Sequence, residues 1–176
     1  MKIATILTGL TMTMVAGSLA AQDTAESENR VSANTDWSVF EDNEPRECWA
    51  VSAPKETVNT RDGNVVEVRR GDILLMVFNR PAQNVTGQLA FTGGYPFAGG
   101  STVTLDIGGT EFELFTEGEW AWPTTPEEDA QIIAALKRGS QAVLTARSGR
   151  GTQTQDTFSL LGFTAAVDDA TARCTG

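Results

Sequence analysis

The sequence predicts a mainly β protein: an antiparallel β-sandwich, or the same layers curled toward a barrel, with one or two short helices and one disulfide. Three observations lead there. Short apolar runs recur through residues 36–176 with turn residues between them. No strand–helix–strand alternation of the parallel kind occurs. The chain holds only two cysteines, Cys48 and Cys174.

The elements follow in order. "MKIATILTGLTMTMVAGSLAAQ" opens with Lys2, continues apolar from Ile3 to Val15, and ends in the small residues Ser18 and Ala20. That is a secretory signal peptide over residues 1–20, too short and too interrupted by threonine and glycine for a membrane anchor. No cysteine follows the cleavage site, which argues against a lipid anchor. Residues 21–35 are polar and acidic with one large apolar residue, Val31, and are expected to form a disordered leader. From residue 36 a single domain begins. "DWSVFE", "ECWAVSA", "NVVEVRR", "GDILLMVFN" and "VTGQLAFTG" read as strands. "STVTLDI" and "TEFELFT" around Gly108-Gly109 read as a hairpin, with Leu105 facing Phe112 and Val103 facing Leu114 on the core side. Thr125-Pro126-Glu127-Glu128 marks a helix start: N-cap threonine, proline at the first helical position, and glutamate three residues after the cap. Ile132, Ile133 and Leu136 form its apolar face, Lys137 and Arg138 suit its negative end, and Gly139 ends it. "QAVLTARS" and "TQDTFSLLG" return as strands, and "FTAAVDDATARC" reads as a second, shorter helix.

Composition bounds the function. Removal of residues 1–20 takes away only Lys2, so the net charge moves from −10 to −11. Such a polyanion is repelled by nucleic acid and by anionic lipid headgroups. An even cysteine pair in an oxidising compartment reads as one disulfide, the alternative being free thiols or half of a metal site. The chain has no histidine, which excludes Ser-His-Asp, Cys-His and His-ligated metal chemistry. "SAPK" at Ser52–Lys55 matches a Ser-x-x-Lys string, but Pro54 breaks the helical turn that this chemistry needs.

Carboxylates are the remaining candidates. Asp106, Glu111 and Glu113 share the outer face of the hairpin, where a solvated acidic surface is the expectation and a weak cation site the alternative. The aromatics Tyr95 and Phe97 of "GGYPF", and Trp120 and Trp122 of "GEWAWP", are candidates for a ligand patch together with Arg150. In "SGRGTQTQDTFSLLGF", Asp156 alternates onto the side of Phe158 and Leu160. The expectation there is a glycine bend feeding a strand, braced by an Arg150–Asp156 ion pair. No cofactor is implied.

"ECWAVSAP", "GGYPF", Ala121-Trp122, "EEDAQIIAALKRG", "GRGTQTQDTFSLLGFTAA" and a terminal cysteine, in that order and spacing, resemble the invasion-associated locus B family of exported bacterial proteins. The resemblance runs from about Trp37 to Cys174. It implies a periplasmic, secreted or envelope-associated β-rich protein with a Cys48–Cys174 bond, and it brings no enzymatic activity or cofactor. The family commonly carries a second serine where this chain has Gly149. The expected function is a non-enzymatic module binding an envelope or host protein or a glycan. The alternative is a carboxylate-dependent periplasmic enzyme acting on glycans, using Glu117, Glu119 or the Asp106 group.

Overall fold

The computed structural model describes residues 29–175. The expected signal peptide and residues 21–28 of the expected leader lie outside the described residues. Twelve antiparallel strands form one continuous sheet. They are β1 (Arg30–Asn34), β2 (Trp37–Asn43), β3 (Arg46–Ser52), β4 (Glu56–Arg61), β5 (Asn64–Val65) and β6 (Leu74–Arg80) in the first half. The second half holds β7 (Val85–Thr92), β8 (Thr102–Ile107), β9 (Thr110–Glu117), β10 (Trp120–Trp122), β11 (Gln141–Arg147) and β12 (Gln153–Ser159). Two helices, α1 (Pro126–Leu136) and α2 (Phe163–Thr175), complete the fold.

The spatial order is β1-β2-β3-β6-β7-β10-β9-β8-β11-β12-β4-β5. The terminal strands β1 and β5 do not pair, so the sheet is not closed into a barrel. It folds over instead, bringing Phe91 of β7 against Phe158 of β12 edge-to-face at 6.2 Å. Alternation along each strand sends Val39, Leu75, Leu89, Leu105, Leu114 and Leu144 into one fully buried cluster between the two halves.

The hairpin has the expected register: Val103↔Leu114, Leu105↔Phe112 and Asp106↔Glu111. Gly108 and Gly109 both take positive φ, 61° and 88°, the backbone of the two-residue turn that matches strand twist. The start of α1 also follows its sequence signature. Thr125 Oγ1 accepts the Glu128 N–H at 3.2 Å, and Glu128 Oε2 accepts the Thr124 N–H at 2.7 Å. The helix stops at Leu136 with Lys137 as its C-cap, so Gly139, Lys137 and Arg138 lie past its last turn and Gly139 does not take the expected left-handed cap. A Cβ at Gly139 would lie 2.7 Å from Ile107 Cγ2 and 2.9 Å from Leu160 Cδ1, so a larger residue there would displace core side chains.

Helix α2 buries Phe163, Ala166, Val167, Ala170 and Cys174, a stripe at helical spacing. Phe163 stacks edge-on against Trp37 at 4.8 Å, and full burial of each ring contributes about 2–3 kcal/mol. Thr171 and Thr175 donate their hydroxyls to carbonyls four residues back, which satisfies them inside the helix. The helix ends in the Cys174–Cys48 disulfide, which closes a sequence separation of 126 residues onto the core face of β3.

Two sequence expectations are corrected, and a further strand appears where the sequence reading assigned none. Residues 30–34, placed in a disordered leader, form β1. The strand is held by backbone pairing to β2 and by Ser32 donating to Asp169 at 2.5 Å, so its own apolar content carries no signal. The strand expected over "NVVEVRR" stops at Val65, because Arg70 further along is drawn inward to a buried partner. The polar segment "ETVNTR" is a strand, β4, recruited by β12 through Thr57↔Asp156 and its neighbours.

Candidate functional site

The loops at one end of the sandwich surround a cleft of about 510 Å³. Its floor is a buried polar network. Arg70 grips Asp156 with both terminal nitrogens, Nη1 to Oδ1 at 2.7 Å and Nη2 to Oδ2 at 2.6 Å. The two side chains are 6% and 0% exposed. Arg70 Nε also donates to the Gly93 carbonyl at 2.8 Å, and the guanidinium lies 5.0 Å from the centre of the Tyr95 ring. The Tyr95 hydroxyl shares a hydrogen bond with Thr154 Oγ1. Burial pushes the Asp156 carboxyl above the usual carboxylate range, and the hydrogen bonds and charge of Arg70 oppose that shift. Burial likewise pushes the Tyr95 phenol upward, so it stays neutral.

The loop that carries Gly94 is fixed by a close approach. Gly94 has φ of +71°, and a Cβ there would sit 2.5 Å from the Gly71 carbonyl oxygen. That spacing lets Gly71 N–H donate to Gly94 O at 2.8 Å, tying the Arg69–Arg70 segment to the Tyr95 loop.

"SGRGT" is a tight turn between β11 and β12. Gly151 N–H donates to Ser148 O at 2.9 Å, and Thr152 N–H donates to Ser148 Oγ at 3.1 Å. Gly149 N–H donates to Pro96 O at 3.0 Å, which joins this turn to the Tyr95 loop. Arg150 stands exposed at its tip. Arg61, at the end of β4, donates to Thr152 Oγ1 at 2.7 Å. The cleft lining therefore holds Arg61, Arg69, Arg70 and Arg150, four of the chain's 13 Lys and Arg residues, against one carboxylate, Glu119. Asp156 neutralises Arg70. Arg69 and Arg150 have no ion-pair partner among the described residues.

The expected ion pair is thus corrected: Asp156 binds Arg70, and Arg150 stands exposed at the rim of the cleft. Arg150 is exposed at a turn tip, whereas the irregular segment before β6 carries Arg70 to the buried carboxylate. The expected ligand patch also divides into three places. Tyr95 and Arg150 line the cleft. Phe97 is core, packed at 5.3 Å from Tyr95 and 6.1 Å from Phe91. Trp120 and Trp122 point the same way, as their spacing requires, but on the outer face of β10. There they stack at 6.3 Å, with Trp122 at 5.5 Å from Phe115 of β9. Trp120 and Phe115 are 38% and 43% exposed. A second aromatic row crosses the same outer face, Phe40 against Trp49 at 5.5 Å and Trp49 against Phe78 at 6.1 Å.

Other candidates do not assemble. Ser52 Oγ donates to the Asp36 carbonyl at 2.7 Å and Lys55 pairs with the Asp36 carboxylate at 2.6 Å, so both members of the Ser-x-x-Lys string are committed to Asp36 rather than to each other. Asp106 accepts the Gly109 N–H at 3.0 Å within its own turn. Among the described residues no three acidic or cysteine side chains converge as metal ligands do.

Sequence reasoning missed Arg61, Arg69, Arg70, Thr152 and Thr154 as site residues. One signal pointed toward them: a carboxylate alternating onto the side of Phe158 needs a buried cation.

The fold and cleft define a disulfide-stapled antiparallel scaffold that presents a cationic recess from loops at one end. Residues 37–171 match the family model described as invasion associated locus B protein, and the chain belongs to that family. The crystal structure of invasion-associated protein B from Bartonella henselae has a TM-score of 0.56 with this chain at 15% identity. The match covers 82% of this chain and 98% of that one, a likeness of fold. No curated protein matches the sequence.

Proposed function

We propose that this protein is an exported bacterial envelope protein that acts as a non-enzymatic binding module, holding its partner in the cleft beside Tyr95 and Arg150. The observation that carries the reading is the coupling of a rigid floor to unsatisfied cations at the rim. Arg70, Asp156, Tyr95 and Thr154 use their polar groups on one another, while Arg69 and Arg150 line the cleft, exposed and without ion-pair partners among the described residues. Preorganised loops of this kind lower the ordering cost of binding. Export is supported by the Lys2-led apolar opening and by a disulfide that suits an oxidising compartment.

The competing glycan hydrolase needs two carboxylates about 5–10 Å apart in one cleft. Glu119 is the single carboxylate lining this one, and the nearby Asp156 is committed to Arg70. Crosslinking in intact envelopes followed by mass spectrometry tests the binding reading. A dominant partner captured by the native protein and lost in Arg150→Glu supports it. Turnover of a glycan library, abolished by Glu119→Gln, overturns it in favour of the enzyme.

A further inference from the structure

We infer that the cleft recognises an acidic saccharide, a sugar unit carrying a carboxylate or phosphate group. The inference rests on the binding-module reading and names the ligand class of the same site. Charge segregation is its first support. A chain with net charge −10 gathers four arginines at one recess, and three of them, Arg61, Arg69 and Arg150, have no ion-pair partner among the described residues, Arg61 donating instead to Thr152 Oγ1. Guanidinium groups form paired, parallel hydrogen bonds with carboxylate and phosphate oxygens.

The second support is the rest of the lining. Glu119 is misplaced for a bare anion, which it repels, but it accepts hydrogen bonds from hydroxyl groups. Ser148 and Thr152 line the same recess with their hydroxyl oxygens accepting from the Thr152 N–H and from Arg61, and Pro96 and Val68 offer apolar surface to a ring. One group that repels oxyanions and binds hydroxyls, set among guanidinium groups, matches a ligand bearing both. The volume of about 510 Å³ suits a short oligosaccharide segment. In this arrangement Arg69 and Arg150 hold the oxyanion and Glu119 orients a hydroxyl. Arg70 acts only as a positioning residue for the Tyr95 loop.

Calorimetric titration of the protein purified after export tests this with four probes: trigalacturonate, mannose 6-phosphate, neutral mannotriose and inorganic phosphate. Saturable one-to-one binding is expected for one of the acidic sugars, and which one identifies the anionic group. Affinity should fall at least tenfold in Arg69→Glu/Arg150→Glu, a pair of exposed sites whose variant is checked for native circular dichroism. It should also fall with added salt, as exposed charge pairing requires. Glu119→Gln should weaken the acidic sugar severalfold without weakening inorganic phosphate. No binding of either acidic sugar at millimolar concentration overturns the inference. So does equal binding of mannotriose, phosphate binding as tight as the sugar, or an unaffected double variant. If these fail while envelope crosslinking still depends on Arg150, the ligand class falls and the binding module stands.

Discussion

Removal of the Asp156 carboxylate is the perturbation that separates the observed ion pair from the one the sequence suggested. In Asp156→Ala the Arg70 guanidinium loses two charge-assisted hydrogen bonds of 2.7 and 2.6 Å and stays 6% exposed. Its bonds to Gly93 O and Asn59 Oδ1 persist but carry no compensating charge. Breaking one side of a buried pair costs about 3–5 kcal/mol, mostly from the stranded charge. Asp156→Asn keeps one acceptor and should cost less, about 2 kcal/mol. Arg150→Ala, at an exposed turn tip, should change stability by no more than about 0.5 kcal/mol. Urea unfolding at pH 7, followed by circular dichroism with the slope held equal, measures all three. A double-mutant cycle with Arg70→Met should return a coupling of about 2 kcal/mol or more. A cost below about 1 kcal/mol for Asp156→Ala, or a comparable cost for Arg150→Ala, would refute the assignment.

The remaining predictions concern other parts of the scaffold. Asp129 is 8% exposed in the first turn of α1, with Oδ1 accepting the Leu89 N–H at 2.7 Å, and burial pushes its carboxyl up to about 6. The folded state then binds more protons than the unfolded state between about pH 4 and 6. Its contribution to stability therefore falls as pH rises through that window, by roughly 2–3 kcal/mol. Asp129→Asn should flatten this slope and be the more stable protein at pH 7, as read from the difference between the two unfolding curves. Replacing both Cys48 and Cys174 by alanine should cost up to roughly 4–5 kcal/mol on the chain-entropy model, measured by denaturant unfolding. Gly94→Ala should destabilise by at least about 2 kcal/mol, since it combines a positive φ with a Cβ 2.5 Å from Gly71 O. Gly149→Ser should be neutral within about 0.5 kcal/mol, because a Cβ there meets nothing nearer than Pro96 O at 3.7 Å.

The sequence by itself determined the features written in short-range chemistry. The Gly108-Gly109 hairpin and the Thr125–Glu128 helix start each depend on residues within one turn or one strand pair, and the second helix was legible over "FTAAVDDATARC", although at 13 residues it is longer than α1, with 11, rather than shorter. Two cysteines leave one intramolecular pairing, and the alternation of Asp156 with Phe158 placed that carboxylate on the buried side. Tertiary structure alone decided the rest. β1 and β4 lack an apolar pattern and exist because β2 and β12 offer open backbone edges. Arg70 reaches Asp156 across 86 residues, a separation over which periodicity carries no information. The cleft is assembled from four loops and the ends of β4 and β12, whose residues become neighbours only when the sheet folds over, so its charge is legible in space and scattered in sequence.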